Sequence, residues 1–487
     1  MKNDNCFNRL FVLLLITLTF CAGLYGLPGT IFEHKIKSVD IFADIRTRDN
    51  ATPTTLDSLR IQLESNEAPE LSLTEGVPEA PSSTAIDSMA LSASLRDSIS
   101  RVMNAARGIS DHTGASIEDY SPGGRHTGLK RFFSALSRSR TRPVRIAFMG
   151  DSFIEGDIMV ADFRSAMQQE FGGHGVGFVP IITASPQYRP TVDQQADGWK
   201  LYSIVNSKNP AYTMSGMMFE PRYDQAGLSF TTTSRYAALR KVNTLKLLYD
   251  RNERTTIRFV YNDIMDTLVH TLPPTYSIAQ YEINDTISGG SFTFTSAQGF
   301  RAIGIALEDR TGVVVDNYSL RGNSGLVFEQ LDPAVSASFR EIRPYDLIIL
   351  QYGLNAMDED MLDYGWYGAR MTKVVRRFQS CFPESDVLML SVPDRANQYS
   401  GTFSTMPAVL ALLHTQRQTA RTAGVPFWNM FGAMGGENSM VQFVDKGWAG
   451  KDYTHLTFNG GREIARSLMK ALMKEKEYYE GSREEAD

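Results

Sequence analysis

Several short apolar runs rich in β-branched residues constrain the fold of this chain more than any other feature. The runs occupy residues 144–149, 311–318, 345–351, 386–392 and 425–428. Residues 371–381 and 410–423 carry helical patterns between them. Continuous apolar runs of this length are typical of strands buried on both faces of a parallel sheet that helices cover. The pattern therefore predicts an α/β fold, a three-layer α/β/α sheet with its ligand site at the carboxyl edge.

A serine follows the first of these runs. Gly150-Asp151-Ser152 comes directly after residues 144–149 and precedes a predicted amphipathic helix over about residues 157–171. A serine at such a strand-to-helix turn is held at the carboxyl edge of the sheet, where a helix N-terminus offers free N–H groups to a developing anion. Small polar residues are also common helix caps, so the tripeptide by itself leaves a plain turn open.

A base for this serine is available near the end of the chain. Asp452 and His455 lie three residues apart in a loop just before a predicted helix that begins near Asn459. A serine hydroxyl needs a base to take its proton, and a histidine needs a carboxylate to fix its tautomer. The alternative is that Asp452 caps a turn and that His455 is a partly buried histidine.

Two further loops carry neutral hydrogen-bond donors. Gly322 follows residues 311–318, and a loop glycine can present its N–H to a substrate without side-chain obstruction. Asn355 follows residues 345–351 by a few positions, and its carboxamide suits a carbonyl oxygen that becomes negative. Both residue types are also common in turns, and Gly325 lies close enough to be an alternative to Gly322.

Taken together and in this order, the four motifs resemble those of the SGNH, or GDSL-type, serine hydrolase family. The four family blocks match Gly150 to Ser152, Gly322, Gly353 to Asn355 and Asp452 to His455. The resemblance covers about residues 116–180 and 311–487. It implies a flavodoxin-like hydrolase domain that works through a serine nucleophile.

The resemblance also implies a role for each matched residue. Ser152 is expected to be the nucleophile, His455 the general base and Asp452 the carboxylate that orients this histidine. The oxyanion hole is expected to consist of the Ser152 and Gly322 N–H groups together with the Asn355 side chain. No cofactor and no metal is expected, because the seven histidines and three cysteines form no metal-ligand pattern.

The α/β pattern is interrupted over residues 181–310. β-Branched and aromatic runs recur there between turn signals, which predicts an antiparallel β-sandwich inserted into the hydrolase domain. The glycine-rich residues 171–178 are interpreted as the crossover into it. The insert resembles the carbohydrate-binding module of some peptidoglycan O-acetylesterases of this superfamily. Four aromatic residues are candidates either for stacking on sugars or for filling its core: Trp199, Tyr202, Tyr212 and Tyr223.

The N-terminus carries a targeting pattern. Lys2 and Arg9 precede an apolar stretch from Leu10 to Leu27, as in a signal peptide, and its length also suits a membrane anchor. A segment rich in Ser, Thr, Pro, Glu and Ala follows. The predicted organisation is a signal peptide or anchor (1–28), a low-order linker (29–115), the first part of the hydrolase domain (116–180), the β-rich insert (181–310) and the second part (311–487).

These features predict an exported serine esterase, periplasmic or associated with the cell envelope. Its expected substrate is an acylated glycan such as O-acetylated peptidoglycan or polysaccharide, from which it removes acyl groups, acetyl above all. The membrane is contacted only through the N-terminal segment, and a net charge of -6 argues against nucleic acid as a partner. A lipase or thioesterase of the same fold, and a non-catalytic cell-envelope binding module, remain alternatives.

Overall fold

The computed structural model describes residues 114–123, 126–183, 189–207, 211–261 and 266–484, and two short strands nearer the N-terminus. These strands, β1 (Thr30–Ile31) and β2 (His34–Lys35), pair antiparallel and belong to a separate unit, residues 1–64. The predicted signal peptide or anchor, and most of the predicted linker, lie outside the described residues. No helix within the described ranges is both long enough and apolar enough to cross a membrane.

The first part of the α/β domain contributes four described elements: β3 (Ile117–Glu118), α1 (Lys130–Leu136), β4 (Pro143–Gly150) and α2 (Val160–Phe171). Every residue of β4 after Pro143 is buried, as its apolar run predicted. Helix α2 begins three residues later than expected. The cause is a 3₁₀ turn over Glu155–Asp157, followed by Met159 with a φ of 66° that a helix cannot accommodate.

The described residues from 177 to 308 form eleven strands: β5 (Gly177–Val179), β6 (Val192–Asp197), β7 (Trp199–Ser203), β8 (Met217–Pro221), β9 (Gln225–Thr232), β10 (Thr244–Arg251), β11 (Thr256–Tyr261), β12 (Asp266–Thr271), β13 (Ala279–Ile283), β14 (Gly289–Thr295) and β15 (Arg301–Glu308). One sheet has the order β13-β10-β15-β8-β7, with β5 also paired to β15, and the other has the order β12-β11-β14-β9-β6. All their pairings are antiparallel.

The two sheets of the insert share one apolar core, which includes Leu247 from the first sheet and Phe259 and Phe292 from the second. Trp199 is buried in this core and packs edge-on against Phe294, with ring centroids 5.1 Å apart. The two sheets therefore bury their apolar faces against each other, as an inserted antiparallel β module requires.

The aromatic candidates in the insert divide by exposure. Trp199 and Tyr212 are buried and fill space, so they do not offer a surface to sugars. Tyr202 is partly exposed beneath Lys200, whose Nζ lies 4.6 Å from its ring centroid. Only Tyr223 among the four candidates has a largely free ring, with 73% of its surface exposed.

The second part of the α/β domain contains twelve described elements: β16 (Gly312–Ser319), α3 (Pro333–Ile342), β17 (Leu347–Gln351), α4 (Gly365–Cys381), β18 (Asp386–Leu390), β19 (Ala396–Tyr399), β20 (Thr402–Thr405), α5 (Pro407–Ala423), β21 (Phe427–Trp428), α6 (Met430–Met434), α7 (Ser439–Asp445) and α8 (Phe458–Glu484). The central sheet has the order β16-β4-β17-β18-β21-β3. All its pairings are parallel except that of β3 with β21. The predicted apolar runs fall on the parallel strands, which confirms the α/β class.

A buried group of charges attaches the insert to this sheet. Glu308 at the end of β15 lies 2.7 Å from Arg145 of β4, 3.0 Å from Lys246 of β10 and 2.9 Å from Arg343. Arg343 also pairs with Asp316 of β16 at 2.6 Å. Burial raises the pKa of Glu308, but the three cations outweigh burial and hold that pKa well below its usual range. Glu308 is therefore an ionised carboxylate shared by the insert and the central sheet.

Candidate active site

The loops that carry the predicted site residues leave adjacent strands at one level. Gly150 at the end of β4 is in register with Ser319 of β16 and with Gln351 of β17. Ser152 follows the end of β4 by two residues, Gly322 follows the end of β16 by three, and Asn355 follows the end of β17 by four. Because carboxyl ends of parallel strands meet at one edge, the three residues lie at the same edge of the sheet.

A chain of hydrogen bonds joins the predicted nucleophile, base and carboxylate. Ser152 Oγ lies 3.0 Å from His455 Nε2, and His455 Nδ1 lies 2.7 Å from Asp452 Oδ2. The side chains of His455 and Asp452 are 45% and 51% exposed. The structure thus brings together three residues that are up to 303 positions apart in the chain, in a place that a ligand can reach.

The loop between α7 and α8 holds the histidine through its own backbone. Asp452 Oδ1 accepts the N–H groups of Thr454 and His455, each at 3.1 Å, which leaves Oδ2 for the imidazole. Tyr453, which follows Asp452 directly, has a φ of 51°, in the left-handed region. Burial raises the pKa of Asp452, but hydrogen bonds from His455 and Thr454 outweigh it and lower that pKa. One carboxylate therefore both caps the turn and contacts the histidine.

Two hydrogen bonds join the Asn355 side chain to the loops that carry Ser152 and Gly322. Its Nδ2 donates to Asp151 Oδ2 at 2.8 Å and to the carbonyl of Asn323 at 3.3 Å. This places the asparagine beside both the residue that precedes Ser152 and the residue that follows Gly322.

Free N–H groups distinguish Gly322 from its alternative. Among the described residues, neither the Ser152 N–H nor the Gly322 N–H has a hydrogen-bond acceptor. The N–H of Gly325 instead donates to Asn323 Oδ1 at 2.8 Å and is thereby occupied. Gly322 is consequently the loop glycine that has an N–H to offer to a ligand.

Asp151 lies in the motif of the predicted nucleophile, but its sequence context predicted no role for it. Its side chain is fully buried and also accepts the N–H of Phe153 at 2.9 Å. Burial raises the pKa of Asp151 to about 6, against the opposing effects of the Phe153 N–H, the nearby His455 and Asn355. Its position between the turn glycine and the serine was the available signal, but no local pattern showed which side chain it would meet.

The chemistry of the site follows from these parts. A hydroxyl held against an accessible imidazole, beside free N–H donors, has the groups needed for attack on a carbonyl carbon. Within the described part of the chain, no group of three or more His, Cys, Asp or Glu side chains could hold a metal ion.

Comparisons with known proteins bear on the fold of the chain. No protein-family model and no curated protein matches the chain. A solved peptidoglycan O-acetylesterase matches it with a TM-score of 0.57 and 20% identity, over 74% of this chain and 99% of that one. The chain therefore shares the fold of this esterase, and the resemblance predicted from its motifs is confirmed at the level of the fold.

Two other solved structures match less closely. A protein described as a GDSL-like lipase from Parabacteroides merdae matches with a TM-score of 0.26 and 13% identity, over 33% of this chain and 72% of that one. A family two carbohydrate esterase from Cellvibrio japonicus matches with a TM-score of 0.25 and 10% identity, over 59% of this chain and 99% of that one.

Proposed function

We propose that the protein is an exported serine esterase that removes acyl groups, acetyl above all, from a cell-wall or extracellular glycan. The observation that carries this proposal is the hydrogen-bonded series of Ser152, His455 and Asp452 at the carboxyl edge of the sheet. The fold shared with a peptidoglycan O-acetylesterase supports the class of substrate.

In the first half of the reaction, the Ser152 hydroxyl attacks the ester carbonyl while His455 Nε2 takes its proton. Ionised Asp452 stabilises the imidazolium that forms and keeps its Nδ1 proton in place. The carbonyl oxygen becomes an oxyanion, which the N–H groups of Ser152 and Gly322 stabilise. The Asn355 amide joins them by exchanging its 3.3 Å bond to the Asn323 carbonyl for one to the oxyanion. Collapse of this intermediate expels the sugar alkoxide, which takes the proton from His455, and leaves an acyl group on Ser152.

In the second half, water replaces the sugar. His455 takes a proton from water, the hydroxide attacks the acyl carbon, and the same donors hold the second oxyanion. The bond to Ser152 Oγ then breaks, and His455 returns the proton to that oxygen. The products are a free carboxylic acid and a deacylated glycan, with the enzyme unchanged.

The exposure of the site fits an ester carried on a polymer. Because about half of the His455 and Asp452 side chains is exposed, an acyl group attached to a long glycan can reach Ser152 without entering a closed tunnel. Export rests on the sequence of the N-terminal segment, in which Lys2 and Arg9 accompany an apolar stretch. The parallel strand order β16-β4-β17-β18-β21 supports a flavodoxin-like, three-layer arrangement around the site.

The test compares purified wild-type protein with its Ser152→Ala variant in the hydrolysis of p-nitrophenyl acetate and in acetate release from O-acetylated peptidoglycan. Ser137→Ala serves as the matched control, because Ser137 is an exposed serine on the helix α1 side of the domain. We expect Ser152→Ala to lose nearly all of the wild-type rate, with at most a small residue from the oxyanion donors, while Ser137→Ala behaves as wild type. Equal rates in wild type and Ser152→Ala would contradict the proposal, and a preference for long-chain over acetyl esters would indicate a lipase.

A further inference from the structure

A second recess lies beside the proposed catalytic site. It is a pocket of about 320 Å³ between the insert and the loops that carry Ser152 and Gly322. Its hydrolase wall includes Glu155, three positions after Ser152, and Arg321, one position before Gly322. Its insert wall includes Leu201 of β7. Since consecutive Cα atoms are at most 3.8 Å apart, the Glu155 backbone lies within about 11 Å of that of Ser152.

A buried arginine in this pocket has an unused donor. The Arg189 side chain is only 6% exposed, and its Nε donates to Asp157 Oδ2 at 2.9 Å. Its Nη2 has no hydrogen-bond partner within the described residues. A buried donor left without an acceptor destabilises the folded protein, because it loses its hydrogen bond to water and gains none in return. A ligand atom that accepts a hydrogen bond there would remove that destabilisation.

The charge around Arg189 favours an anion. Asp157 also pairs with Arg164 at 3.3 Å, so that among the described residues one carboxylate faces two guanidinium groups. Burial raises the pKa of Asp157, but these two cations outweigh burial and hold that pKa well below its usual range. The Asp157 carboxylate is therefore ionised. The three side chains together carry one net positive charge. Glu155 and Arg321 at the pocket pair with each other at 2.6 Å and add none.

An acceptor without a partner lies on the same pocket wall. Asn317 of β16 donates from Nδ2 to the Ile154 carbonyl at 2.9 Å and to Asp157 Oδ1 at 2.8 Å. Its Oδ1 is buried and finds no donor in the part of the chain that the structure describes. A sugar hydroxyl is the kind of group that donates to an amide oxygen. Two residues that line the pocket thus each have a buried polar atom without a partner, a donor on Arg189 and an acceptor on Asn317.

We propose that this pocket is a subsite for a carboxylate carried by the glycan close to the acylated position, so that the substrate is an acidic acylated glycan. The carboxylate accepts from Arg189, and a neighbouring hydroxyl donates to Asn317. This inference rests on the proposed function, because it takes the ligand to be the glycan whose ester reaches Ser152. A neutral polysaccharide offers no anion to pair with this excess positive charge.

The test measures binding in the Ser152→Ala protein, in which no turnover occurs. The probes are the disaccharide of N-acetylglucosamine and N-acetylmuramic acid with a free lactyl carboxylate, and the same disaccharide with that group converted to a carboxamide. Titration calorimetry should give a dissociation constant about ten-fold or more lower for the carboxylate, the size expected of one charge-assisted hydrogen bond. Equal binding of the two probes would overturn the proposal.

Variants at two pocket residues locate the carboxylate. In the Ser152→Ala background, Arg189→Gln should bind both probes equally. Leu201→Glu keeps the proposal testable if Arg189→Gln does not fold, because Leu201 is 43% exposed and tolerates a polar group. The added negative charge should abolish the preference for the carboxylate, whereas the neutral control Leu201→Gln should keep it. A preference that survives in Leu201→Glu would mean that the carboxylate binds elsewhere, and the subsite would be wrong.

The outcome is separable from that of the esterase proposal. Serine-dependent hydrolysis without any carboxylate preference would overturn the subsite alone. A carboxylate preference that depends on Leu201 and Arg189 in a protein without serine-dependent hydrolysis would support the subsite as a binding site and overturn the esterase alone.

Discussion

Asn355 donates a hydrogen bond from Nδ2 to Oδ2 of Asp151, over a distance of 2.8 Å. The two residues lie at the ends of adjacent strands, and the bond joins the loop after β17 to the loop that carries Ser152. The amide that is proposed to stabilise the oxyanion is therefore positioned by a carboxylate that is itself fully buried. This bond makes Asp151 a positioning residue in the proposed mechanism.

Asn355→Ala tests the proposed oxyanion donor. Removing one such donor typically lowers kcat by a factor of about 10²–10³, while KM changes little, because the donor acts mainly in the transition state. Steady-state kinetics with p-nitrophenyl acetate measure both constants. Asn243→Ala is the matched control, since Asn243 is exposed on the insert. A kcat for Asn355→Ala within two-fold of wild type would exclude Asn355 from the oxyanion hole.

Asp151→Asn tests the buried carboxyl through the pH dependence of stability. Burial raises the pKa of Asp151 to about 6, whereas an unfolded aspartate titrates near about 3.9. As the pH rises through this window, the unfolded chain gives up its proton first, so this carboxyl lowers the free energy of unfolding. The loss is complete above pH 6 and amounts to roughly 3 kcal/mol.

Urea unfolding at pH 4 and pH 7 measures this effect. Between these two values, the free energy of unfolding of Asp151→Asn should fall by less than that of wild type, with a difference of roughly 2 kcal/mol. Asp193→Asn changes an exposed aspartate of the insert and should follow wild type. If the free energy of unfolding depends on pH in the same way in Asp151→Asn and in wild type, the Asp151 carboxyl does not cause the loss of stability between pH 4 and pH 7.

Two glycine substitutions separate Gly322 from Gly325. A Cβ on Gly322 would meet no atom within 4 Å, whereas one on Gly325 would lie 2.8 Å from Met371 Cε and from the Tyr352 ring. Both glycines have positive φ, which by itself costs about 1–2 kcal/mol for an alanine. Gly325→Ala should therefore lose clearly more stability in thermal unfolding than Gly322→Ala.

For kcat we expect the opposite order, with the larger loss in Gly322→Ala and the smaller loss in Gly325→Ala. We expect Gly322→Ala, the better folded variant, to have a lower kcat at saturating p-nitrophenyl acetate, because the methyl group crowds the N–H that would face the oxyanion. A Gly322→Ala protein with wild-type kcat would remove this residue from the oxyanion hole.

Glu308→Gln tests the charges between insert and sheet. The substitution leaves Arg145, Lys246 and Arg343 without their shared carboxylate, and breaking a buried pair in this way costs about 3–5 kcal/mol. Because the pKa of Glu308 is lowered in the folded protein, its contribution is present above about pH 4.3 and is lost as the pH falls. Denaturant unfolding at pH 7 measures the effect.

Glu282→Gln is the control for this substitution. Glu282 lies 3.7 Å from the same lysine, Lys246, but its side chain is 31% exposed. A partly exposed pair of this kind contributes at most about 1 kcal/mol. Equal losses of stability in the two variants would show that burial of Glu308 does not matter.

The sequence was informative wherever a local pattern carries a physical cause. The run before Gly150 is apolar on both faces of its strand, and the structure buries it as predicted. Where several backbone angles depart from regular geometry, prediction was less accurate. Helix α2 begins late because Gly156, Asp157 and Met159 all have positive φ, which no periodicity of apolar residues reports.

The sequence by itself determined the five parallel strands of the central sheet, the β-rich character of the insert and the order of the residues proposed for catalysis. Periodicity and strand ends are local properties, so one chain is enough to read them. Only the tertiary structure decided that Asn355 meets Asp151, that Glu308 is shared by two parts of the fold, and that Arg189 keeps an unused donor in a pocket. Such contacts join residues far apart in the chain, and their distances depend on the packing of whole sheets and not on any local pattern.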